Sequence, residues 1–238
     1  MLLTNTDPQN NLFTRLNNII KINKLKSLFI HEKKASKLFK IKCVIFFGSS
    51  ASGKSTLEKI LREVSTDDTF FQTKISVPFR VVTRNPRQDD ENIVYATKNK
   101  FDELITKDSL AMYGVKNMES GRIERYGLLK PLINTLPIYF ANNAIIKNPH
   151  SIYPTNFLDD ALLIFLYAPD FVRENRLRIR SPELFEKNPD EANFRLSQEE
   201  SSDNFISDAH VIVNNYGVYE QQVKLDIVYF LKSLVKII

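Results

Sequence analysis

Apolar residues run almost unbroken through Cys43–Phe47, Leu136–Ala141, Ala161–Tyr167 and Ala209–Val213, the length and continuity expected of strands buried on both faces. Between and after these runs the period changes. Leu57, Ile60, Leu61 and Val64 recur at helical spacing behind the first run, and a C-terminal helix is expected from about Tyr216 to Val235. Apolar strands alternating with helices predict an α/β fold with a doubly wound parallel sheet. Ahead of it, Leu12, Phe13, Leu16, Ile19, Ile20, Leu25, Leu28 and Phe29 fall at helix-like intervals with lysines and asparagines between them. That pattern predicts one or two amphipathic helices, so the chain divides into an N-terminal extension, 1–41, and a main domain, 42–238.

Charge sharpens this division. Residues 1–42 carry nine Lys and Arg against Asp7 and Glu32, a balance of +7, while the remainder carries 24 against 26, a balance of −2. The basic character thus belongs to the extension, and the main domain offers no electrostatic reason to take a nucleic acid as substrate. A basic amphipathic helix suits an anionic membrane surface or a protein partner, but Asn17, Asn18 and Asn23 break the apolar stripe and favour packing on the main domain with the lysines in solvent. The rest of the composition is that of an ordinary globular protein: 238 residues, 43% hydrophobic, 26% charged, six glycines and ten prolines. The longest apolar stretch, Ala161–Ala168, is far short of the roughly 20 residues that a membrane-spanning helix requires. The start of the chain lacks the basic and apolar run of a secretory signal. Cys43 is the sole cysteine, which permits no intrachain disulfide and fits a reducing compartment. A soluble, cytoplasmic protein is expected.

The segment that carries chemistry begins where the first apolar run ends. Gly48-Ser49-Ser50-Ala51-Ser52-Gly53-Lys54-Ser55-Thr56 follows a strand pattern and opens a helix pattern, and its spacing, Gly-x-x-x-x-Gly-Lys-Ser, is that of a phosphate-binding P-loop. Glycines at those positions let backbone amides turn inward around a β-phosphate at the positive end of a helix. Lys54 would bridge the β- and γ-phosphates, and the Ser55 hydroxyl would ligate Mg²⁺. Two of only six glycines in the chain occupy the required positions, which argues against a chance turn. ATP and Mg²⁺ are the expected cofactors. A P-loop alone does not say where the γ-phosphate goes.

Three later segments narrow the choice, and with them the chain from about 42 to 238 resembles the guanylate kinase family, including its relative ribose 1,5-bisphosphate phosphokinase. Thr83-Arg84-Asn85-Pro86-Arg87, leading to Glu91 and Asn92, is similar to the family stretch whose arginines hold the acceptor phosphate. Two guanidinium forks around a stiffening proline suit a phosphate dianion. Arg176-Leu177-Arg178-Ile179-Arg180, followed by Arg195-Leu196, resembles the family's lid, which implies Arg176, Arg180 and Arg195 as the arginines that close over the transferring phosphoryl group. Asp208 to Asn215 looks like the last core strand ending in Val-x-Asn, at the adenine end of the site, and leaves His210 a structural residue rather than a catalytic base. The resemblance implies an acceptor-binding insertion near 70–130 and a lid near 180–192.

The departures from the family are also informative. Guanylate kinases read guanine with a glutamate and with a Ser or Thr directly after a Tyr-Gly pair; here Tyr126-Gly127 is followed by Leu128. No carboxylate lies in Leu110–Gly114, although Glu119 or Glu124 would substitute in a shifted loop. A site built to hydrogen-bond a base loses discrimination without those groups. Asn142-Asn143 stands where guanylate kinases carry an Asp-x-Asp, so Asn142 suits a sugar or phosphate contact and the Mg²⁺ ion lacks an obvious acidic partner. The short spacing from Glu91 to Phe101 is similar to that of the phosphokinase. The expected activity is therefore transfer of the ATP γ-phosphoryl to a small phosphorylated acceptor, with a phosphosugar favoured and Arg84, Arg87, Glu91, Tyr126 and Asn142 at the acceptor. The alternatives are a nucleoside monophosphate kinase and a binding module that keeps the fold with little turnover.

Overall fold

The computed structural model describes residues 12–36, 38, 40–86, 92–117, 121, 123–131, 135–141, 146, 157–197 and 206–238. Its strands are β1 (Leu28–Ile30), β2 (Cys43–Gly48), β3 (Ile75–Ser76), β4 (Arg80–Val82), β5 (Ile93–Tyr95), β6 (Leu110–Asn117), β7 (Ile123–Leu129), β8 (Leu136–Phe140), β9 (Ala161–Tyr167) and β10 (Val211–Asn214). The main sheet has the order β1-β10-β9-β2-β8-β3. Strands β10, β9, β2, β8 and β3 are mutually parallel, and β1 closes one edge antiparallel to β10. Along the chain, β2 comes first among the parallel strands and lies between β8 and β9, so the connections depart from it toward both edges. That reversal opens a crevice at the carboxyl end of β2, the place where open α/β sheets bind ligands.

Each central strand is buried along its length, and alternate residues feed different cores. On one face, Val44, Phe46, Phe140, Leu162 and Ile164 pack against Leu57 and Leu61 of helix Lys54–Asp67, against Ile227, Phe230 and Leu231 of helix Gln222–Val235, and against Leu12 and Leu16 of helix Leu12–Ile22. On the other face, Cys43, Ile45, Phe47, Leu163 and Phe165 meet Met112 and Leu128. Those last two belong to a second sheet, ordered β5-β4-β7-β6, in which β7 is antiparallel to both β4 and β6. Within 70–130, this second sheet spans 80–129, while Ile75 and Ser76 pair with Leu136 and Pro137 in the main sheet. Cys43 is 3% exposed, and burial pushes its thiol up to about 12, which leaves it a packed apolar group rather than a nucleophile.

The N-terminal residues are less separate than their charge implies. Leu12, Leu16, Ile19, Leu25 and Leu28 enter the main core, and β1 adds a strand that a helix-like spacing does not announce. A buried carboxylate fastens this region. Asp226 accepts from the Ser27 amide at 2.8 Å, from the Ser27 hydroxyl at 2.7 Å and from Gln222 at 2.8 Å, so its burial leaves the charge well solvated by donors. The exposed lysines Lys21, Lys24 and Lys26 flank the turn into β1. The expected C-terminal helix starts later than Tyr216, because Gly217 takes a positive φ of 57° and a short 3-10 turn, Gly217–Tyr219, intervenes before Gln222. The expected lid near 180–192 is helical: Asp170–Arg180 is followed by Pro182–Lys187 and Pro189–Ser197. No helix among the described residues is long and apolar enough to cross a membrane.

His210 sits just ahead of β10, where its Nδ1 accepts from the Leu163 amide at 2.9 Å. Burial, with Lys34 and His31 nearby, pushes its imidazole from the ordinary 6.5 down to about 4. The unfolded chain therefore takes the proton first. The stability contributed by neutral His210 is complete above the ordinary histidine range and is lost as pH falls toward the folded value, by up to about 3 kcal/mol. Denaturant melts between pH 7 and 4 are expected to show this fall in the native sequence and a flatter profile in His210→Asn, whose amide oxygen replaces the Nδ1 acceptor. Equal slopes in the two proteins would contradict this assignment.

Candidate phosphate-binding site

Strand β2 ends at Gly48, and the loop to Gly53 returns the chain into the helix that begins at Lys54. Three residues of this loop have positive φ: Gly48 at 156°, Ala51 at 59° and Gly53 at 100°. A Cβ at Gly48 would stand 2.6 Å from the Leu166 carbonyl oxygen, and one at Gly53 would stand 2.1 Å from Asn215 Nδ2. Both glycines are thus required by conformation and by space. Ala51 has no such freedom, and the left-handed conformation costs a side-chain-bearing residue about 1–2 kcal/mol. The loop must be held in that shape by its surroundings.

The surroundings are specific. Ser50, Ala51 and Ser52 each have their carbonyl oxygen bonded from outside the loop: Arg173 Nη1 donates to Ser50 at 3.4 Å, Arg176 Nη1 to Ala51 at 3.3 Å, and Asn215 Nδ2 to Ser52 at 2.7 Å. Arg173 is 2% exposed and also pairs with Asp170 at 2.9 Å. Arg176 donates to the Asn215 carbonyl at 2.7 Å and pairs with Glu220 at 3.0 Å, which ties helix Asp170–Arg180 to the segment after β10. Lys54 folds back along the loop, with its Nζ donating to the carbonyls of Gly48 at 2.5 Å and Ser49 at 2.7 Å. The helix it begins has Gly53 as its N-cap, with no side-chain cap and no acidic residue in the first turn.

These features fit a nucleotide polyphosphate. Carbonyls are turned out, the helix presents its positive end without a competing carboxylate, and the glycines leave room for close approach of phosphate oxygens. Ser49 and Ser52 are buried at the loop base, whereas Ser50 and Ala51 are partly exposed. Ser55 and Thr56 are exposed at the first turn. No group of three or more His, Cys, Asp and Glu that would hold a metal by itself occurs among the described residues.

The acceptor-side candidates lie on the second sheet. Arg84, directly after β4, is 7% exposed and donates to the Asn85 carbonyl at 2.9 Å. Tyr126 on β7 packs against the core that includes Phe47 and Phe165, and its hydroxyl donates to Glu124 at 2.5 Å. Glu124, two residues away on the same face of β7, is 5% exposed. Leu128 follows on that face and is packed in the core. Arg180 is exposed at the end of its helix, and Arg195 lies on helix Pro189–Ser197. Arg87, Glu91 and Asn142 lie outside the described residues, as does Glu119.

A buried ion cluster joins the two halves. Glu58, one turn beyond Lys54 and 1% exposed, pairs with Arg80 of β4 at 2.7 Å and with Arg62 at 3.2 Å. Arg62 also donates to the Pro78 carbonyl at 3.0 Å and stacks over Phe79, 4.3 Å from the ring centroid. Burial pushes the Glu58 carboxyl up while the two guanidiniums pull it down. The strand that leads to Arg84 is thereby fixed to the helix that follows the loop.

Sequence reasoning missed Arg173, Glu58 and Glu220, and it placed Asn215 at the adenine end without its bond to the loop. Arg173 stands one helical turn before Arg176, so the same face that carries Leu177 inward carries it too; that periodicity was the available signal. Arg178, by contrast, faces outward, pairing with Glu174 at 2.7 Å and stacking on Phe185.

The fold is that of a P-loop α/β protein: a parallel sheet whose central strand ends in a glycine-bounded loop that opens a helix. Among solved structures, the chain is similar to a guanylate kinase from Anaplasma phagocytophilum, at a TM-score of 0.44 and 14% identity over 82% of this chain and 88% of that one. No protein-family model and no curated protein matches the sequence.

The left-handed Ala51 yields a direct test. Ala51→Gly removes the steric cost and adds a smaller chain-entropy cost, so the variant is expected to gain about 0.5–1 kcal/mol in denaturant unfolding. A loss of stability would show that the loop does not hold Ala51 under strain.

Proposed function

We propose that the protein is an ATP-dependent phosphotransferase that moves the γ-phosphoryl group to a small phosphorylated acceptor, with a phosphosugar of the ribose 1,5-bisphosphate kind favoured. The observation that carries this reading is the glycine-bounded loop at the carboxyl end of the central strand, with Lys54 at the head of an uncapped helix. On nucleotide binding, Lys54 exchanges the Gly48 and Ser49 carbonyls for β- and γ-phosphate oxygens. Mg²⁺, held by Ser55 and the phosphates, would neutralise charge on the same oxygens. An oxygen of the acceptor phosphate attacks the γ-phosphorus in line, a new P–O bond forms, and the bond to the β-bridging oxygen breaks with its electron pair leaving on ADP. The attacking oxygen is already anionic at neutral pH, so the step needs no general base.

That requirement agrees with the placement of His210, which precedes β10 while Asn215 follows it, roughly 16 Å apart along the strand. In this reading Arg84, with Arg87, grips the acceptor phosphate; Arg180 and Arg195 close over the transferring group; and Arg176 acts through the loop carbonyl that it holds. Buried Leu128 in place of a base-reading Ser or Thr supports a sugar over a guanine. One observation favours a nucleoside monophosphate instead: Glu124 is a buried carboxylate beside Tyr126.

Release of ADP from Mg²⁺-ATP in the presence of GMP, dGMP, AMP, UMP, ribose 1,5-bisphosphate or ribose 5-phosphate tests the reading. Turnover with a phosphosugar and not with GMP is the expected result. Lys54→Ala is expected to lower the rate at least 100-fold, equivalent to about 3 kcal/mol of barrier, and an unchanged rate would overturn the assignment. Nucleotide binding without turnover of any acceptor would favour the binding module.

A further inference from the structure

Arg173 is a costly residue to keep where it is. Its side chain is 3% exposed, in contact with the backbone of a loop and not with the outer surface, and its carboxylate partner Asp170 is 86% exposed. A buried guanidinium needs a compensating interaction. Its Nη1 reaches the Ser50 carbonyl at 3.4 Å, adjacent to the Ala51 carbonyl that Arg176 takes and next but one to the Ser52 carbonyl that Asn215 takes. The three donors come from the two segments that follow β9 and β10, so the loop is gripped by the neighbour strand and the next one out.

We propose that Arg173 is a positioning residue of the phosphate-binding loop, an inference that rests on reading this loop as a polyphosphate site. With Arg176 and Asn215 it fixes three successive carbonyls outward, and it sets a permanent positive charge behind the loop. The peptide units of Ser50 to Gly53 are thus held with their oxygens away from the crevice before any ligand arrives, and the left-handed Ala51 lies in the middle of the clamped stretch. Outward carbonyls remove the partial negative charges that would repel phosphate oxygens. The buried guanidinium adds attraction that solvent screens weakly. Binding of the phosphate chain is where both effects act, so Arg173 affects nucleotide affinity and leaves the acceptor side alone.

The test is calorimetric titration of the full-length protein with Mg²⁺-ADP and with magnesium tripolyphosphate, which carries the phosphates without the nucleoside. Arg173→Met is expected to weaken both ligands at least tenfold, and Arg173→Lys, which keeps the charge and loses the forked reach, is expected to recover part of the loss. A role in stability alone would lower the melting temperature of Arg173→Met and leave the affinity of the folded protein within twofold of wild type; that result overturns the proposal. If Arg173→Met does not fold, Arg173→Lys decides: wild-type affinity for tripolyphosphate contradicts the clamp, and a loss of several fold supports it. Failure of the wild-type protein to bind either ligand would overturn the reading of the loop itself, and is distinguished from failure of the Arg173 proposal by the wild-type titration.

Discussion

A phosphate-binding loop works only if its amides face the ligand, and a peptide unit that presents its amide must send its oxygen somewhere else. In the loop between β2 and the helix that starts at Lys54, three such oxygens are received by side chains. Arg173, Arg176 and Asn215 take the carbonyls of Ser50, Ala51 and Ser52, and the rest of the architecture places these donors. Asn215 arrives at the loop because β10 lies beside β9 in parallel register, and the two arginines arrive because the helix after β9 starts at Asp170, at the carboxyl end of the strand next to β2. Gly53 lacks a Cβ for the same reason, since Asn215 occupies the space a methyl group would need.

The sheet in turn depends on burial from both sides. Helices and the N-terminal residues cover one face, and the four-stranded sheet covers the other through Met112 and Leu128. That second sheet also carries Arg84 and Tyr126, so the packing that completes the core brings the acceptor candidates onto the domain. Glu58 reinforces the connection by pairing a residue of the phosphate-loop helix with Arg80, four residues before Arg84. One buried carboxylate therefore links the helix after the glycine-bounded loop to the strand that leads to Arg84.

Much of this arrangement could be read from the sequence because the relevant signals are local. An apolar run of strand length, glycines at fixed spacing and a helical period identify β2, the loop and the helix after it, and continuous apolar runs locate β8, β9 and β10. What escaped was set by contacts distant in the chain. β1 spans only Leu28–Ile30 and owes its conformation to pairing with Val211–Val213, so a helix-like spacing of leucines concealed it. Arg173 shows no local sign of its role, because the Ser50 carbonyl it reaches lies 123 residues away in the chain. Glu58 likewise carries no local sign of its burial, because Arg80 reaches it from another element.

In the proposed function, residues 48–56 bind the phosphate chain of a nucleotide through amides that are already turned inward. Amide proton and nitrogen shifts, followed by NMR as a non-hydrolysable Mg²⁺-ATP analogue is added, test it most directly. Large shifts concentrated at Ser50 to Thr56, saturating at one equivalent, are the predicted result. Shifts that avoid this loop, or none at millimolar nucleotide, would contradict the account.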